Sequence, residues 1–439
     1  MPSTDPLDTL AALQRFGIRP GLETIGVLLD ALDRPDGAFR SVIVAGTNGK
    51  GSVAAMTDSA LRASGYRTGR YTSPHLISLA ERIVVDETPI PESALRYEAG
   101  RLQTLVDTLL DRGALDAPPT FFEAVTAIAL SWFRRAGVEV AVLEVGLGGR
   151  FDATNAVTPV AGIITSIGLD HMDYLGDDLV AIASEKAGVI KRGMAVVTTE
   201  TRPALVDLFA RTCEERGARL IPADEDSRVE TCPTDRRAIL VTTPLRAYPS
   251  IRLPLDGEHQ RANALGAVRL LEALETVGIP VAGSAIAPGL ARTRWPGRLQ
   301  LIRAGSRQLL LDAAHNPAAA EALARYLRQT FPGGLPVVLG VMSDKDAEGI
   351  VRALAPVATR FVCTAPDTAR AIPPATLAAR VRPLAGDRPV LIAPTPWGAV
   401  EAAGPTTAPI CVTGSIFLVG EILRDRAAGA AGDGAPGTR

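Results

Sequence analysis

Lysine, histidine and cysteine are all scarce in this chain of 439 residues, with only four of each. Cys213, Cys232, Cys363 and Cys411 lie far apart and without C-x-x-C spacing, which argues against both a disulfide framework and a zinc site. No apolar run approaches the ~20 residues a membrane-crossing helix needs, and no charged-then-apolar leader follows the opening M-P-S-T-D-P. A formal net charge of −2 gives no electrostatic footprint for nucleic acid or an anionic membrane. These absences lead to the expectation of a cytoplasmic globular enzyme with small-molecule partners, no nucleic acid and no membrane.

The lysine shortage carries a further signal. Of 46 basic residues only Lys50, Lys186, Lys191 and Lys345 are lysine. Where the two cations are interchangeable the chain has drifted to arginine, so a surviving lysine marks a position that needs a compact, modifiable amine. The four histidines, His75, His171, His259 and His315, all sit in short polar or glycine-flanked segments.

What is abundant is alternation. Short β-branched runs alternate with helical patterns through most of the length, the sign of a parallel sheet with helices on both faces. The fold expected is α/β: a P-loop NTPase-like N-terminal domain with a parallel sheet and a small β extension, then a smaller Rossmann-like domain. Strands are read at Ser41–Gly46, Val138–Gly146, Ala161–Gly168 and Met194–Thr199, helices at Lys50–Ser64, Ser93–Asp111 and Phe121–Arg135, and two strand-like runs between Ala238 and Leu255. Trp295-Pro296-Gly297-Arg298 stops a helix and precedes a hairpin pattern, which divides the chain into 1–295 and 296–426. The small-residue tail 427–439 reads as disordered.

Residues Ser41 to Ser52 read S-V-I-V-A-G-T-N-G-K-G-S, a buried-strand pattern that breaks into a glycine-rich loop. Such a loop turns backbone N–H groups toward an anion and adds the positive end of the following helix, so Thr47, Asn48, Gly49, Lys50, Gly51 and Ser52 form a phosphate cradle. Only two residues separate Gly46 from Gly49, and Gly51 stands between Lys50 and Ser52, unlike the common G-x-x-x-x-G-K-[ST] spacing. The spacing points away from GTPases and motor ATPases, toward ligases that activate a carboxylate with ATP.

Other polar groups fall at the carboxyl ends of predicted strands, where ligands gather in open α/β sheets. Glu144 ends an apolar run ahead of a glycine-rich turn, where an unpaired carboxylate is expensive; it either pairs with Arg150 or faces a cation. Together with His171 and the phosphate loop it makes a candidate Mg²⁺ shell. Lys186 is read either as half of a solvated Glu-Lys pair or as a functional amine, facing a phosphate or carbamylated by CO₂. Asp312, His315 and Asn316 follow one predicted strand of the second unit, and Asp344, Lys345 and Asp346 follow another, which suggests one crevice.

Taken in order, G-T-N-G-K-G-S, T-S-P-H-L, E-V-G-L-G-G-R-F-D-A-T-N, D-H-M-D-Y-L-G, E-K-A-G-V-I-K, H-Q-R-A-N-A, W-P-G-R and L-D-A-A-H-N-P closely resemble the folylpolyglutamate synthase/dihydrofolate synthase family, the folate branch of the Mur ligases. The resemblance implies that Thr47–Lys50 and Ser52 hold ATP phosphates, and that Ser73, Glu144 and His171 bind Mg²⁺. It also implies that Lys186 is carbamylated and that Asn263, Arg298 and Asp312 contact the nucleotide. By the same resemblance Thr120, Phe121, Phe122, Glu123 and Arg150 belong to a dihydropteroate site, and His315 and Ser415 place the incoming amino acid. Lys50, Lys186 and His171 are then the catalytic set.

The implied reaction phosphorylates a substrate carboxylate with ATP and captures the acyl phosphate with the amine of L-glutamate, on dihydropteroate, on reduced folates or on both. Alternatives are a monofunctional folylpolyglutamate synthase, another Mur-type amino-acid ligase, or a P-loop nucleotide switch. A peptidoglycan-type relative is expected to carry a distinct N-terminal domain. A switch leaves Asp312 and His315 without a role.

Overall fold

The β-branched run Ser41–Ala45 has side chains buried on both faces, which only a strand covered by helices on each side tolerates. In the computed structural model, which describes residues 5–432, it forms the middle of β1 (Arg40–Ala45). The strands that join it are β2 (Thr68–Tyr71), β3 (Ile83–Val85), β4 (Thr88–Pro89), β5 (Val140–Glu144), β6 (Ala161–Ile164), β7 (Ala195–Thr198) and β8 (Arg219–Pro222). Their order across the sheet is 4-3-2-5-1-6-7-8, with β3 and β4 antiparallel and the rest parallel. The carboxyl ends of β2, β5, β1 and β6 are therefore neighbours, and they deliver Ser73, Glu144, the Gly46–Ser52 loop and the Thr165–His171 segment to one edge.

The helix Lys50–Ala63 is buried through nearly three turns, packed between the helices Glu258–Thr276 and Gly283–Ala291. Its approach to the latter is close enough that a Cβ on Gly289 would stand 2.4 Å from the Ala60 Cα. Ser59 Oγ fastens the pair by donating to Gly289 O at 2.7 Å.

A separate antiparallel sheet, β9 (Arg228–Cys232), β10 (Asp235–Thr242) and β11 (Ala247–Arg252), is the expected small β extension, with one more strand than the two anticipated. The helix Pro203–Glu215 and the edge strand β8 were also not anticipated. The next sheet runs through β12 (Gln300–Ala304), β13 (Arg307–Leu311), β14 (Leu335–Leu339), β15 (Ala358–Cys363), β16 (Val390–Ile392) and β17 (Ile410–Thr413), in the order 12-13-17-14-15-16. It is parallel except for the β12–β13 hairpin. Insertion of β17 between β13 and β14 brings three polar segments to one edge: Asp312–Asn316, Ser415 and Asp344–Asp346.

The tail expectation is corrected in part. The last helix spans Ile416–Gly432, so residues 427–432 continue it, and 433–439 lie outside the described residues. All four cysteines are free and buried. Among the described residues no helix is long and apolar enough to cross a membrane.

Candidate active site

The two sheet edges face each other across a cleft of about 780 Å³. Its lining includes the Thr47–Ser52 loop, Ser73, Glu144, Lys186, His171, Asn263, Arg298, Asp312, His315 and Ser415. Thr120, Phe122 and Glu123 line it too. Phe121 and Arg150 are not among its lining residues, so the cleft gathers most, but not all, of the positions singled out in the sequence.

Each glycine of the phosphate loop answers to a different neighbour. Gly46 has φ +133°, and a Cβ there would overlap Thr165 Oγ1 at 1.8 Å. At Gly49, φ is +92°, and a Cβ would stand 2.4 Å from Asn263 Oδ1. At Gly51 it would stand 2.5 Å from Trp295 Cζ2. The unusual third glycine is thus required by Trp295, the residue that heads the W-P-G-R segment. Lys50 Nζ donates to Gly46 O and Thr47 O, both at 3.1 Å, curling back over the loop it belongs to. Thr47 Oγ1 donates to Gly168 O at 3.2 Å and accepts from Gly168 N at 3.0 Å, joining the loop to the segment after β6. Ser52 is buried in the first turn of the helix.

Glu144 does not pair with Arg150. Arg150 Nε donates to Glu185 Oε1 at 3.2 Å, whereas Glu144 Oε2 accepts from Ser73 N at 3.1 Å. Burial pushes the Glu144 carboxyl above its ordinary range, and the charge of Lys50 is the largest influence opposing that. A buried anion with one backbone donor and no ion pair among the described residues is a fit for a hard divalent cation. Ser73, Glu144 and His171 are therefore compatible with the expected Mg²⁺. They supply one hydroxyl, one carboxylate and one imidazole, and no group of three or more His, Cys, Asp or Glu able to hold a metal occurs among the described residues.

His171 adopts φ +52°, ψ +40°, a left-handed conformation uncommon for a residue with a side chain. Burial lowers its pKa to about 4, so the ring is neutral near pH 7. Its Nε2 faces Lys345 Nζ at 3.2 Å. The preceding residue, Asp170, was not singled out from the sequence, yet it is the hub of the cleft. Lys345 Nζ donates to Asp170 Oδ1 at 2.6 Å, Asn316 Nδ2 donates to Oδ2 at 3.0 Å, and His315 Nε2 lies 3.6 Å from Oδ2. Asn316 and Asn48 exchange side-chain amide hydrogen bonds at 3.3 and 3.1 Å. The phosphate loop is thereby tied directly to the second half of the chain.

The solvated-pair expectation for Lys186 is also overturned. Its neighbour Glu185 bonds Arg150, while Lys186 itself is 4% exposed. Burial, reinforced by the charge of Lys50, lowers its pKa to about 7. Asp312 serves a connecting role: Oδ2 accepts from Leu299 N at 2.9 Å and Oδ1 from Ala314 N at 3.0 Å. Asn263 is held by Gln260 at 3.0 Å, and Arg298 donates to Gly297 O at 3.1 Å. His315 Nδ1 lies 2.9 Å from Ala313 O, and Ser415 Oγ accepts from Phe417 N at 3.1 Å as the last helix begins.

Thr120 and Glu123 have a structural account of their own. They form a reciprocal capping box on the helix Phe121–Arg135, in which Glu123 Oε2 accepts from Thr120 N at 2.8 Å and from its hydroxyl at 2.7 Å. The T-x-x-E pattern ahead of an apolar run was the available signal. Asp152, also unflagged, braces the glycine turn after β5 by accepting from Gly146 N at 3.0 Å and Leu147 N at 2.8 Å.

Comparison with known proteins gives this geometry a family. Residues 44–271 match the Mur ligase middle domain and residues 297–415 the Mur ligase glutamate ligase domain. A dihydrofolate synthase/folylpolyglutamate synthase of Mycobacterium tuberculosis is 40% identical over 377 residues, covering 81% of this chain and 76% of that protein. A probable bifunctional folylpolyglutamate synthase/dihydropteroate synthase of Haloferax volcanii is 37% identical over 430 residues and covers 95% of this chain, which spans only 50% of that longer relative. Among solved structures, Mycobacterium tuberculosis folylpolyglutamate synthase complexed with ADP superposes with a TM-score of 0.88 at 34% identity, covering 96% of this chain and 99% of the other. A bifunctional folylpolyglutamate synthase/dihydrofolate synthase with Mn, AMPPNP and L-glutamate bound gives 0.82 at 30% identity, covering 97% and 98%. The chain belongs to the folylpolyglutamate synthase/dihydrofolate synthase family of Mur ligases.

Proposed function

We propose that this protein is an ATP-dependent ligase that adds L-glutamate both to dihydropteroate and to reduced folates. One observation carries the reading: the phosphate loop and the buried Glu144 of the first sheet share a single cleft with Asp312, His315 and Lys345 of the second. A nucleotide switch has no use for a second polar strand edge, whereas a ligase must bring three substrates together.

In the chemistry this supports, an oxygen of the acceptor carboxylate attacks the γ-phosphorus of ATP. The bond between that phosphorus and the β,γ-bridging oxygen breaks, and ADP leaves. The neutral amine of glutamate then attacks the carbonyl carbon, phosphate departs, and the amine proton passes to solvent or base. Lys50 neutralises charge on the phosphates, and positioning does most of the remaining work. Mg²⁺ held by Ser73, Glu144 and His171 supplies charge neutralisation at the phosphates when bound. Lys186, with a substantial free-amine fraction near pH 7, is suited to forming a carbamate. Asn263, Arg298 and Asp312 are assigned to the nucleotide, His315 and Ser415 to glutamate, and Thr120–Glu123 with Arg150 to the pteroate region.

The same reading divides the chain into an ATP-binding unit, 1–295, and a ligase unit, 296–426, acting as a cytoplasmic monomer. Closure of the two over ATP excludes water from the acyl phosphate. The test incubates the protein with ATP, Mg²⁺, glutamate and either dihydropteroate or tetrahydrofolate. Phosphate release that requires both glutamate and an acceptor supports the ligase, and release without them overturns it. Product from only one acceptor overturns dual activity.

A further inference from the structure

Arg82 is the most deeply buried cation in the cleft wall for which neither the sequence nor the reading above supplies a task. It ends a single turn, Leu79–Arg82, and is 8% exposed, yet it lines the cleft. The turn is built to hold it there. Glu81 accepts backbone N–H bonds from Leu76 at 2.8 Å, Ile77 at 3.0 Å and Ser78 at 2.8 Å, and Ser78 and Glu81 complete a capping box.

The guanidinium is fixed on two sides by neutral groups. Its Nε donates to His75 Nδ1 at 3.0 Å, and its carbon stands 5.3 Å from the centroid of the Phe121 ring. The Tyr71 hydroxyl also lies against the guanidinium. Among the described residues no carboxylate lies within ion-pair distance of Arg82, and Glu144 and Glu81 favour its charge only from farther away. Desolvation is the largest influence on Arg82 and disfavours its charged form. A buried, charged fork whose direct partners are neutral leaves a site for an anion, and a guanidinium matches a carboxylate in two parallel hydrogen bonds.

We infer that Arg82 is a substrate-binding residue that receives the carboxylate of the pteroate or folate acceptor beside the phosphate loop. The inference rests on the ligase reading and names the group that holds its acid substrate. Location supports the carboxylate over the nucleotide. Arg82 follows the same loop as Ser73, and Phe121, whose ring it faces, opens the helix whose Phe122 lines the cleft. An aryl carboxylate laid along that wall brings its acid group to Arg82 and its ring to Phe122. Phosphorylation of the carboxylate keeps the substrate anionic, so the same fork retains the acyl phosphate while glutamate arrives.

The test compares wild type, Arg82→Gln and Arg82→Lys for binding of dihydropteroate and of its neutral carboxamide, with ADP binding as the check on folding. Wild type is expected to favour the acid over the amide by at least about tenfold. Arg82→Gln is expected to lose that preference while its ADP affinity stays within about twofold, and Arg82→Lys to recover part of it. An acid preference retained in Arg82→Gln overturns the assignment, and so does equal weakening of acid and ADP in Arg82→Lys. If wild type shows no glutamate-dependent phosphate release with any pteroate acid, the ligase reading itself fails, an outcome separate from these.

Discussion

Asp170 accepts a hydrogen bond from Lys345 at 2.6 Å although the two residues are 175 positions apart, and each side chain is only 9% exposed. One leaves the carboxyl end of β6 and the other follows β14, so this pair stitches the two sheet edges together across the cleft. Around it Asn316, His315 and His171 complete a cluster that reaches the phosphate loop through Asn48. The phosphate loop and His315 therefore belong to one hydrogen-bonded network.

Replacing Asp170 by Asn removes the closer of the two carboxylates that face the buried Lys345 ammonium and leaves only Asp344, at 3.7 Å. Breaking one side of a buried pair costs about 3 kcal/mol, so the variant should unfold several degrees below wild type at pH 7 and lose most of its ligase activity. Burial tends to raise the Asp170 pKa, but the His315 hydrogen bond and the Lys345 charge outweigh it and hold the carboxyl well below the usual range. A depressed folded-state pKa contributes stability above the unfolded value of about 4 that is lost as pH falls toward the folded one. The gap between wild type and Asp170→Asn should accordingly shrink as the medium is acidified below pH 4. Equal unfolding temperatures at pH 7 show that the pair contributes nothing.

Lys186→Ala should abolish most turnover while leaving the fold intact, since the change removes an ammonium that burial already disfavours. With a folded pKa of about 7, the free amine dominates above that pH and the ammonium below it. Activity that depends on the amine should fall as pH drops below 7 and respond to added bicarbonate. A lysine pKa lowered on folding also means that the unfolded chain binds more protons between pH 7 and about 10.4, so this group adds stability as pH rises through that window. A ¹³C NMR experiment with labelled bicarbonate reads the carbamate directly. No labelled adduct, together with near-normal turnover in Lys186→Ala, removes the residue from the chemistry.

The alternation of strands and helices, the phosphate loop and most cleft residues were legible because they follow from local patterns: β-branched runs, glycine clusters and polar groups at strand ends. Asp170 and Arg82 were not, for a physical reason. An aspartate in D-H-M-D and an arginine before a hairpin look like ordinary surface residues until the second half of the chain, or Phe121 and His75, closes over them. The Glu185–Lys186 segment left two readings open. Adjacent opposite charges read either as a solvated pair or as a functional amine, and on the helix Glu185 bonds Arg150 while Lys186 is buried in the cleft wall. The edge strand β8 escaped detection because R-L-I-P has only two central apolar residues and ends in proline.

Gly51 faces Trp295 so closely that a methyl group has no room, and both partners belong to packed structure. Gly51→Ala should destabilise the protein by about 1–3 kcal/mol, the range for overpacking a filled site. Because the displaced turn carries Lys50 and Ser52, the KM for ATP should rise more than that for glutamate. Gly37→Ala is the control, since nothing lies within 4 Å of the added carbon. Wild-type stability and ATP affinity in Gly51→Ala eliminate Trp295 as the reason for the third glycine.

Glu144→Gln separates what stabilises the fold from what serves the site. The carboxylate is buried, bonded to Ser73 N and pushed upward in pKa by that burial, so in the absence of a cation its charge works against folding. A raised folded-state pKa means that stability present below the unfolded value of about 4.3 is lost as pH climbs through the folded one. The neutral amide keeps shape and hydrogen bonding but avoids that loss. Without nucleotide or metal the variant should therefore unfold at or above the wild-type temperature, with its advantage growing from pH 4 to pH 7. Addition of ADP with Mn²⁺ should reverse the ranking, because a ligand that binds only the folded state stabilises in proportion to its affinity, and the variant has surrendered the anion that favours the cation. Chelator should erase the wild-type gain and leave Glu144→Gln unmoved. An equal Mn²⁺-dependent gain in both proteins shows that the cation is held elsewhere.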